Sequence, residues 1–131
     1  MKNPEQLIEA ARNVKMYSQA RYSGFRVGAA LETVDGEIFS GCNIESSSYG
    51  LTICAERVAL TKALSEGRTN FRTIAIVGSD DDFCSPCGAC RQLLHDYAPE
   101  LEVIMVKENE TKKIALKELL PLAFKESDLK K

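Results

Sequence analysis

Thr73-Ile74-Ala75-Ile76-Val77, followed by Ser85-Pro86-Cys87-Gly88-Ala89-Cys90 running on to about Tyr97, and then Leu101-Glu102-Val103-Ile104-Met105-Val106, is the stretch that decides the fold. Its two ends are short apolar runs rich in β-branched residues, and they read as buried strands. Between them, Ser85 and Pro86 look like the N-cap and first position of a helix that ends near Tyr97. A strand joined to a strand through a helix makes a crossover, and crossovers pair their strands in parallel.

Outward from that unit the pattern changes. A preceding helix is expected from near Cys54, carrying Val58, Ala59, Ala63 and Leu64 and stopping at Gly67. Ser46 to Tyr49 is a polar loop that ends in Gly50. Before it, Phe25, Val27, Ala29 and Leu31 alternate as in a strand. Asp35-Gly36 reads as a two-residue hairpin turn, and a return strand runs from about Glu37 to Asn43. Asn3 as N-cap and Pro4 at the first helical position open the first helix, on which Leu7, Ala10, Ala11 and Val14 recur at helical spacing. Beyond the crossover, Ile114 to Leu120 reads equally as a short strand or a helical turn. An antiparallel hairpin beside a parallel pair implies a mixed sheet sandwiched by helices, hence the α/β class. No repeat or linker interrupts residues 1–131, so one domain is expected.

Composition narrows the function. The net charge of −2 argues against a protein that grips nucleic-acid backbone, which needs a clustered basic face. No apolar run approaches the length of a membrane span, and none follows Met1-Lys2, so neither a membrane anchor nor a secretory signal is expected. The chain reads as cytoplasmic. Five cysteines are many for such a chain, and an odd number disfavours a disulfide framework. Metal binding is the leading explanation.

Cys87 and Cys90 stand three apart, on one face of the first turns of their helix. Cys54 adds a third thiol, also at a helix start. Helix N-termini favour anions, and thiolates are anions. Three thiols suit zinc and leave one open position for water, as catalysis requires. Cys84, also three from Cys87, would close the site and make it structural. It precedes the expected N-cap, where helical spacing no longer operates, so it is read as a loop or packing residue. Glu56, two beyond Cys54, is placed to reach the open position and move protons. An isolated Glu there would be explained by the helix dipole alone.

Cys54-Ala55-Glu56 followed by Pro86-Cys87-Gly88-Ala89-Cys90 resembles the signature of zinc cytidine deaminases. Tyr22-Ser23-Gly24-Phe25-Arg26-Val27-Gly28-Ala29-Ala30, Gly41-Cys42-Asn43-Ile44-Glu45, Cys54-Ala55-Glu56-Arg57 and Leu119-Leu120-Pro121 resemble the small homotetrameric members, in order along nearly the whole chain. The resemblance implies a three-layer α/β/α fold, one Zn2+ per chain, and hydrolytic deamination of cytidine or 2′-deoxycytidine in pyrimidine salvage. It gives Glu56 the proton transfers. Arg57 would donate to the ligand sulfurs, offsetting their negative charge. Asn43 and Glu45 would bind ribose hydroxyls, with Phe25 against the pyrimidine and backbone groups of Ala55 and Ser85 at the base edge. Phe25 reads equally as ordinary core. Phe124, on the apolar Leu119–Phe124 segment, and Tyr49 would complete a neighbouring subunit's site in a homotetramer; Phe124 in its own core is the other reading.

Two alternatives stay open at this level. One is a deaminase of another cytosine nucleoside, such as a nucleoside antibiotic. The other is a non-catalytic, zinc-stabilised binding module in which Cys84 closes the site; Glu56, Asn43 and Glu45 then have no role. Ser46-Ser47-Ser48 after Glu45 departs from the family pattern, which continues with Asn, and leaves the choice between cytidine and deoxycytidine open.

Overall fold

The computed structural model describes residues 3–79 and 81–130; Met1 and Lys2, read above for a secretory signal, lie outside the described residues. The elements in order are α1 (Pro4–Lys15), β1 (Gly28–Thr33), β2 (Ile38–Cys42), α2 (Ala55–Ser65), β3 (Phe71–Val77), α3 (Gly88–Tyr97), β4 (Glu102–Lys107), β5 (Glu110–Ala115) and α4 (Leu116–Leu119), with short 3-10 turns at Tyr49–Leu51 and Glu126–Lys130. The sheet order is β2-β1-β3-β4-β5. Only β3 and β4 run parallel, with Thr73 opposite Glu102 and Val77 opposite Val106; the other neighbours are antiparallel.

Two apolar layers flank this mixed sheet. Leu7 and Ala11 of α1 pack on Ala30, Ala75, Val77, Ile104 and Val106 from one face. The alternate residues of the same strands, Ala29, Leu31, Ile74, Ile76 and Val103, meet Ala59, Leu60 and Ala63 of α2 and Leu94 of α3 on the other. Strands buried on both faces read as continuous apolar runs, which explains the legibility of β3 and β4. The three-layer α/β/α arrangement is therefore the one expected.

α1 starts as its sequence predicts: Asn3 accepts from the Gln6 backbone N–H at 2.9 Å, and the Gln6 side chain accepts from the Asn3 N–H, closing a capping box. α2 ends with Gly67 N–H donating to Leu64 O and Arg68 N–H to Ala63 O, a Schellman pattern.

Four expectations need correction. The hairpin loop is three residues, Val34–Gly36, not two. Gly36 N–H donates to Thr33 O, Thr33 N–H donates to Glu37 O, and only Gly36 has positive φ (93°), so this is a type I turn closed by a left-handed glycine. β1 begins at Gly28 rather than Phe25, because the Asn43 side chain bonds the 25–27 backbone in place of a strand ladder. α3 begins at Gly88 with Cys87 as N-cap (ψ 166°), not at Ser85-Pro86; Ser85 Oγ accepts from Arg91 instead of capping. Finally, Glu110–Lys113 belongs to β5, an exposed edge strand of charged residues that shows no apolar alternation, and Ile114–Leu120 divides between the end of that strand and α4.

Candidate active site

The site forms where α2 and α3 begin. Cys54 is the N-cap of α2 and Cys87 that of α3, both with extended backbone, so each thiol stands beside a helix N-terminus. Cys90, three residues into α3, is fully buried beneath them. α2 approaches closely because β2 offers no side chain at Gly41: a Cβ there would lie 2.6 Å from Ala59 N and 2.9 Å from Ala55 O.

Cys54 Sγ lies 3.7 Å from Cys87 Sγ, which lies 3.4 Å from Cys90 Sγ. All three sulfurs fall within 4.8 Å of one another, and Cys84 is not among them. Zn–S bonds of about 2.3 Å at tetrahedral angles put ligand sulfurs roughly 3.8 Å apart, so the three thiols fit one zinc ion with a fourth vertex to spare.

Electrostatics point the same way. The Cys54 thiol is drawn down to about 5, first by a hydrogen bond from Cys90, then by Cys87 and Arg57, against the effect of burial. Cys90 is pushed up by its bond to Cys54 and by burial. One thiolate forms readily; further ones require a cation to offset the accumulating charge. Cys84 is pushed up to about 11, chiefly by burial, and stays a neutral thiol packed over Gly78.

Glu56 is buried at 4% exposure in the first turn of α2. Burial and then the Cys54 charge raise its carboxyl to about 7, against its own backbone N–H, the Cys90 thiol and Arg57. A carboxyl poised near neutrality can both accept and return a proton. Arg57 donates from Nη2 to Thr52 O at 2.9 Å, and against the effect of burial the neighbouring Cys54, Cys90 and Cys87 sulfurs hold its guanidinium above its usual range.

Asn43 and Glu45 both turn toward residues 18–27. Asn43 Oδ1 accepts from Val27 N–H at 2.9 Å and from the buried Ser18 hydroxyl; its Nδ2 donates to Phe25 O at 2.9 Å. Glu45 Oε1 accepts from Tyr22 N–H at 2.8 Å and Ser23 N–H at 3.1 Å, while Oε2 takes the Ser23 hydroxyl. These bonds hold the Glu45 carboxyl below its usual range, the Ser23 hydroxyl first. Phe25 is 45% exposed with its ring beside Gly78 and Cys84, so the ordinary-core reading fails.

Ala55 is buried at the start of α2, and Ser85 is exposed on the loop before Cys87. Tyr49, 81% exposed, lines a concavity of about 370 Å³ with Tyr22, Ser23, Glu45, Ser46 and Thr52. Phe124 is 56% exposed and lines another of about 790 Å³ alongside His95, Asp96 and Tyr97, toward the far end of α3 from the thiols. It is not core in its own protomer. Neither concavity is lined by Cys54, Glu56, Cys87 or Cys90.

Sequence reading missed Ser18 and Ser23, whose bonds to Asn43 and Glu45 span more than twenty residues and leave no local signal. It also passed over Arg91, whose place directly after Cys90 was a clue.

The family model for the cytidine and deoxycytidylate deaminase zinc-binding region matches residues 1–106. The chain belongs to the cytidine deaminase family. It is 51% identical over 128 residues to a probable cytidine deaminase of Dictyostelium discoideum, covering 95% of this chain and 86% of that one. A crystal structure of cytidine deaminase from Burkholderia pseudomallei superposes with a TM-score of 0.90 at 44% identity, covering 94% of this chain and all of the other. Blasticidin-S deaminase of Bacillus cereus is 40% identical over 106 residues, covering 75% of this chain and 76% of its own. Membership accounts for the thiol cluster: the zinc-binding region of the family contains all three cysteines.

Proposed function

We propose that this chain, acting as one catalytic domain over residues 1–131, hydrolyses free cytidine and 2′-deoxycytidine to the uracil nucleosides and ammonia, in cytoplasmic pyrimidine salvage. The observation that carries the proposal is the buried Glu56 carboxyl beside three sulfurs spaced for one tetrahedral ion. Among the described residues no helix is long and apolar enough to cross a membrane.

Cys54, Cys87 and Cys90 would hold zinc, which when bound would supply Lewis-acid activation of water. Glu56 takes one water proton and delivers it to ring N3, making C4 electrophilic. The water oxygen bonds to C4. Glu56 then carries the second proton to the amino group, the C4–N bond breaks, and ammonia leaves. One carboxyl serves both transfers because it alternates between base and acid. Arg57 offsets the net negative charge of three thiolates around a dication.

Asn43 and Glu45 bind the sugar. After its bond to Phe25 O, the Asn43 amide keeps one free hydrogen, and Glu45 Oε2, which takes only the Ser23 hydroxyl, keeps unused acceptor capacity. Phe25 packs on the pyrimidine, and backbone groups of Ala55 and Ser85 meet its edge. The chain assembles as a homotetramer in which Phe124 and Tyr49 complete a neighbour's site. Ile44 and Ile53, joined by a bridge, together with Tyr49 and Leu51, expose apolar surface of the kind that marks an interface. The similarity to the Bacillus cereus protein favours blasticidin S as a second substrate to test.

Steady-state kinetics on cytidine, deoxycytidine and blasticidin S provide the test. Glu56→Gln should keep zinc and lose at least about 10²–10⁴-fold in rate. Near-normal turnover by that variant, or no turnover of any cytosine nucleoside by the zinc-loaded protein, refutes the reading.

A further inference from the structure

Arg91 and Gln92 follow the ligand Cys90 directly on α3. Arg91 serves three acceptors in two separate parts of the chain. Nε donates to Pro86 O at 2.7 Å and Nη2 to Ser85 Oγ at 3.3 Å, both on the loop that ends at Cys87. Nη1 donates to Leu119 O at 2.8 Å, at the end of α4. Gln92 Nε2 donates to Phe124 O at 2.9 Å and to Asp96 Oδ1 one turn along its own helix.

Leu119 and Phe124 bracket a stretch with no regular structure. Leu120 to Lys125 belongs to neither helix nor strand. Within it Leu122 has a φ of 54° and a fully exposed side chain. A leucine holds that backbone conformation only where its surroundings over-determine it. The two side chains of α3 supply that determination from outside, because they bond the backbone of the stretch at both ends.

We infer that Arg91 and Gln92 are positioning residues that couple the zinc-ligand loop to the C-terminal segment, fixing the course along which Leu122 and Phe124 face a neighbouring copy. The inference rests on the reading of Phe124 as a shared-site residue. Arginine suits the joint because its rigid planar fork serves several acceptors at once, whereas the lysine ammonium sits as a point on a flexible stem. The loop carrying Cys87 and the segment carrying Phe124 then share one rigid support.

Backbone order parameters and kinetics on zinc-loaded Gln92→Ala and Arg91→Lys proteins decide it. Of the two bracket ends, Gln92→Ala releases only the Phe124 end, besides its bond to Asp96 within α3. It should keep one zinc per chain, lower the amide order parameters of residues 122–125 from the rigid range of about 0.85 toward about 0.6, and raise KM for cytidine while kcat moves far less. Arg91→Lys loosens both ends, so zinc affinity should fall as well, by about 10–100-fold. Unchanged order parameters in 122–125 in both variants refute the bracket. Lower order with unchanged KM refutes its part in the reaction. Failure of the deaminase reading shows separately, as zinc-loaded wild-type protein that turns over no cytosine nucleoside; the order parameters of the variants still decide whether the bracket exists.

Discussion

Replacing Gly41 with alanine tests whether the seat of α2 on the sheet sets the geometry of the thiols. The added Cβ would lie 2.6 Å from Ala59 N, 2.8 Å from Val58 Cβ and 2.9 Å from Ala55 O. Two of these are backbone atoms of α2 and cannot swing aside. Ordinary contact begins near 3.4 Å, so the helix must retreat by about 0.8 Å, the difference between 3.4 and 2.6 Å. Overpacking of this kind costs about 1–3 kcal/mol. At roughly 2.1 cal/mol/K per residue, a chain of 131 residues unfolds with an entropy of about 275 cal/mol/K, so a 2 kcal/mol loss lowers Tm by about 7 °C. The retreat also carries Cys54 and Glu56 away from Cys87 and Cys90. A misplacement near 1 Å can cost about 10²-fold in rate. The assay pairs calorimetry at fixed protein and zinc concentration with kcat measured on the folded protein well below Tm. A Gly41→Ala protein with wild-type Tm and wild-type kcat refutes the argument that this contact positions the site.

Cys87→Ser should lose zinc and Cys84→Ser should keep it, by metal analysis of the purified proteins; the reverse pattern overturns the ligand assignment. Glu45→Gln should lower kcat/KM on cytidine far more than zinc content, and unchanged kcat/KM removes Glu45 from the site. Sedimentation should give a species near four times 14.5 kDa. Mixing inactive Glu56→Gln subunits with impaired Phe124→Ala subunits should restore some activity if sites are shared, and a fully active monomer at assay concentration ends that idea.

Legibility in the sequence followed the range of the interactions. Strands β3 and β4 were readable because burial on both faces makes them apolar without a break. The thiol set was readable because two of its members sit three apart and the third is tied to Glu56 in a compact motif. β5 was not, because an edge strand carrying Glu110, Lys112 and Lys113 avoids apolar alternation and is held by its ladder to β4. The start of α3 was misplaced because Ser85-Pro86 carries a genuine local start signal, overridden when Arg91 recruits both residues as acceptors. Asn43 and Glu45 could be chosen from their motif, but their grip on residues 18–27 arises only once the chain has closed.

Among the three helices of ten or more residues, the two that build the site also begin differently from α1. α1 has a reciprocal capping box on Asn3, whereas Cys54 and Cys87 make no side-chain capping bond to their own helices. A thiol in place of a capping Ser, Asp or Asn gives up about 1 kcal/mol at each start. Both omissions fall where α2 and α3 converge. The uncapped N–H groups leave two positive helix ends beside sulfur atoms that must become anions to bind a metal. Local helix stability is therefore lower at the two positions where thiolate stabilisation is needed, which is how a functional site departs from otherwise consistent sequence design. Restoring a cap with Cys54→Asp would follow the local rule and strengthen the start of α2, but it would replace the sulfur 3.7 Å from Cys87 with a harder oxygen donor ill-matched to its two thiolate partners. The opposition between the best cap and the best ligand accounts for cysteine at both helix starts.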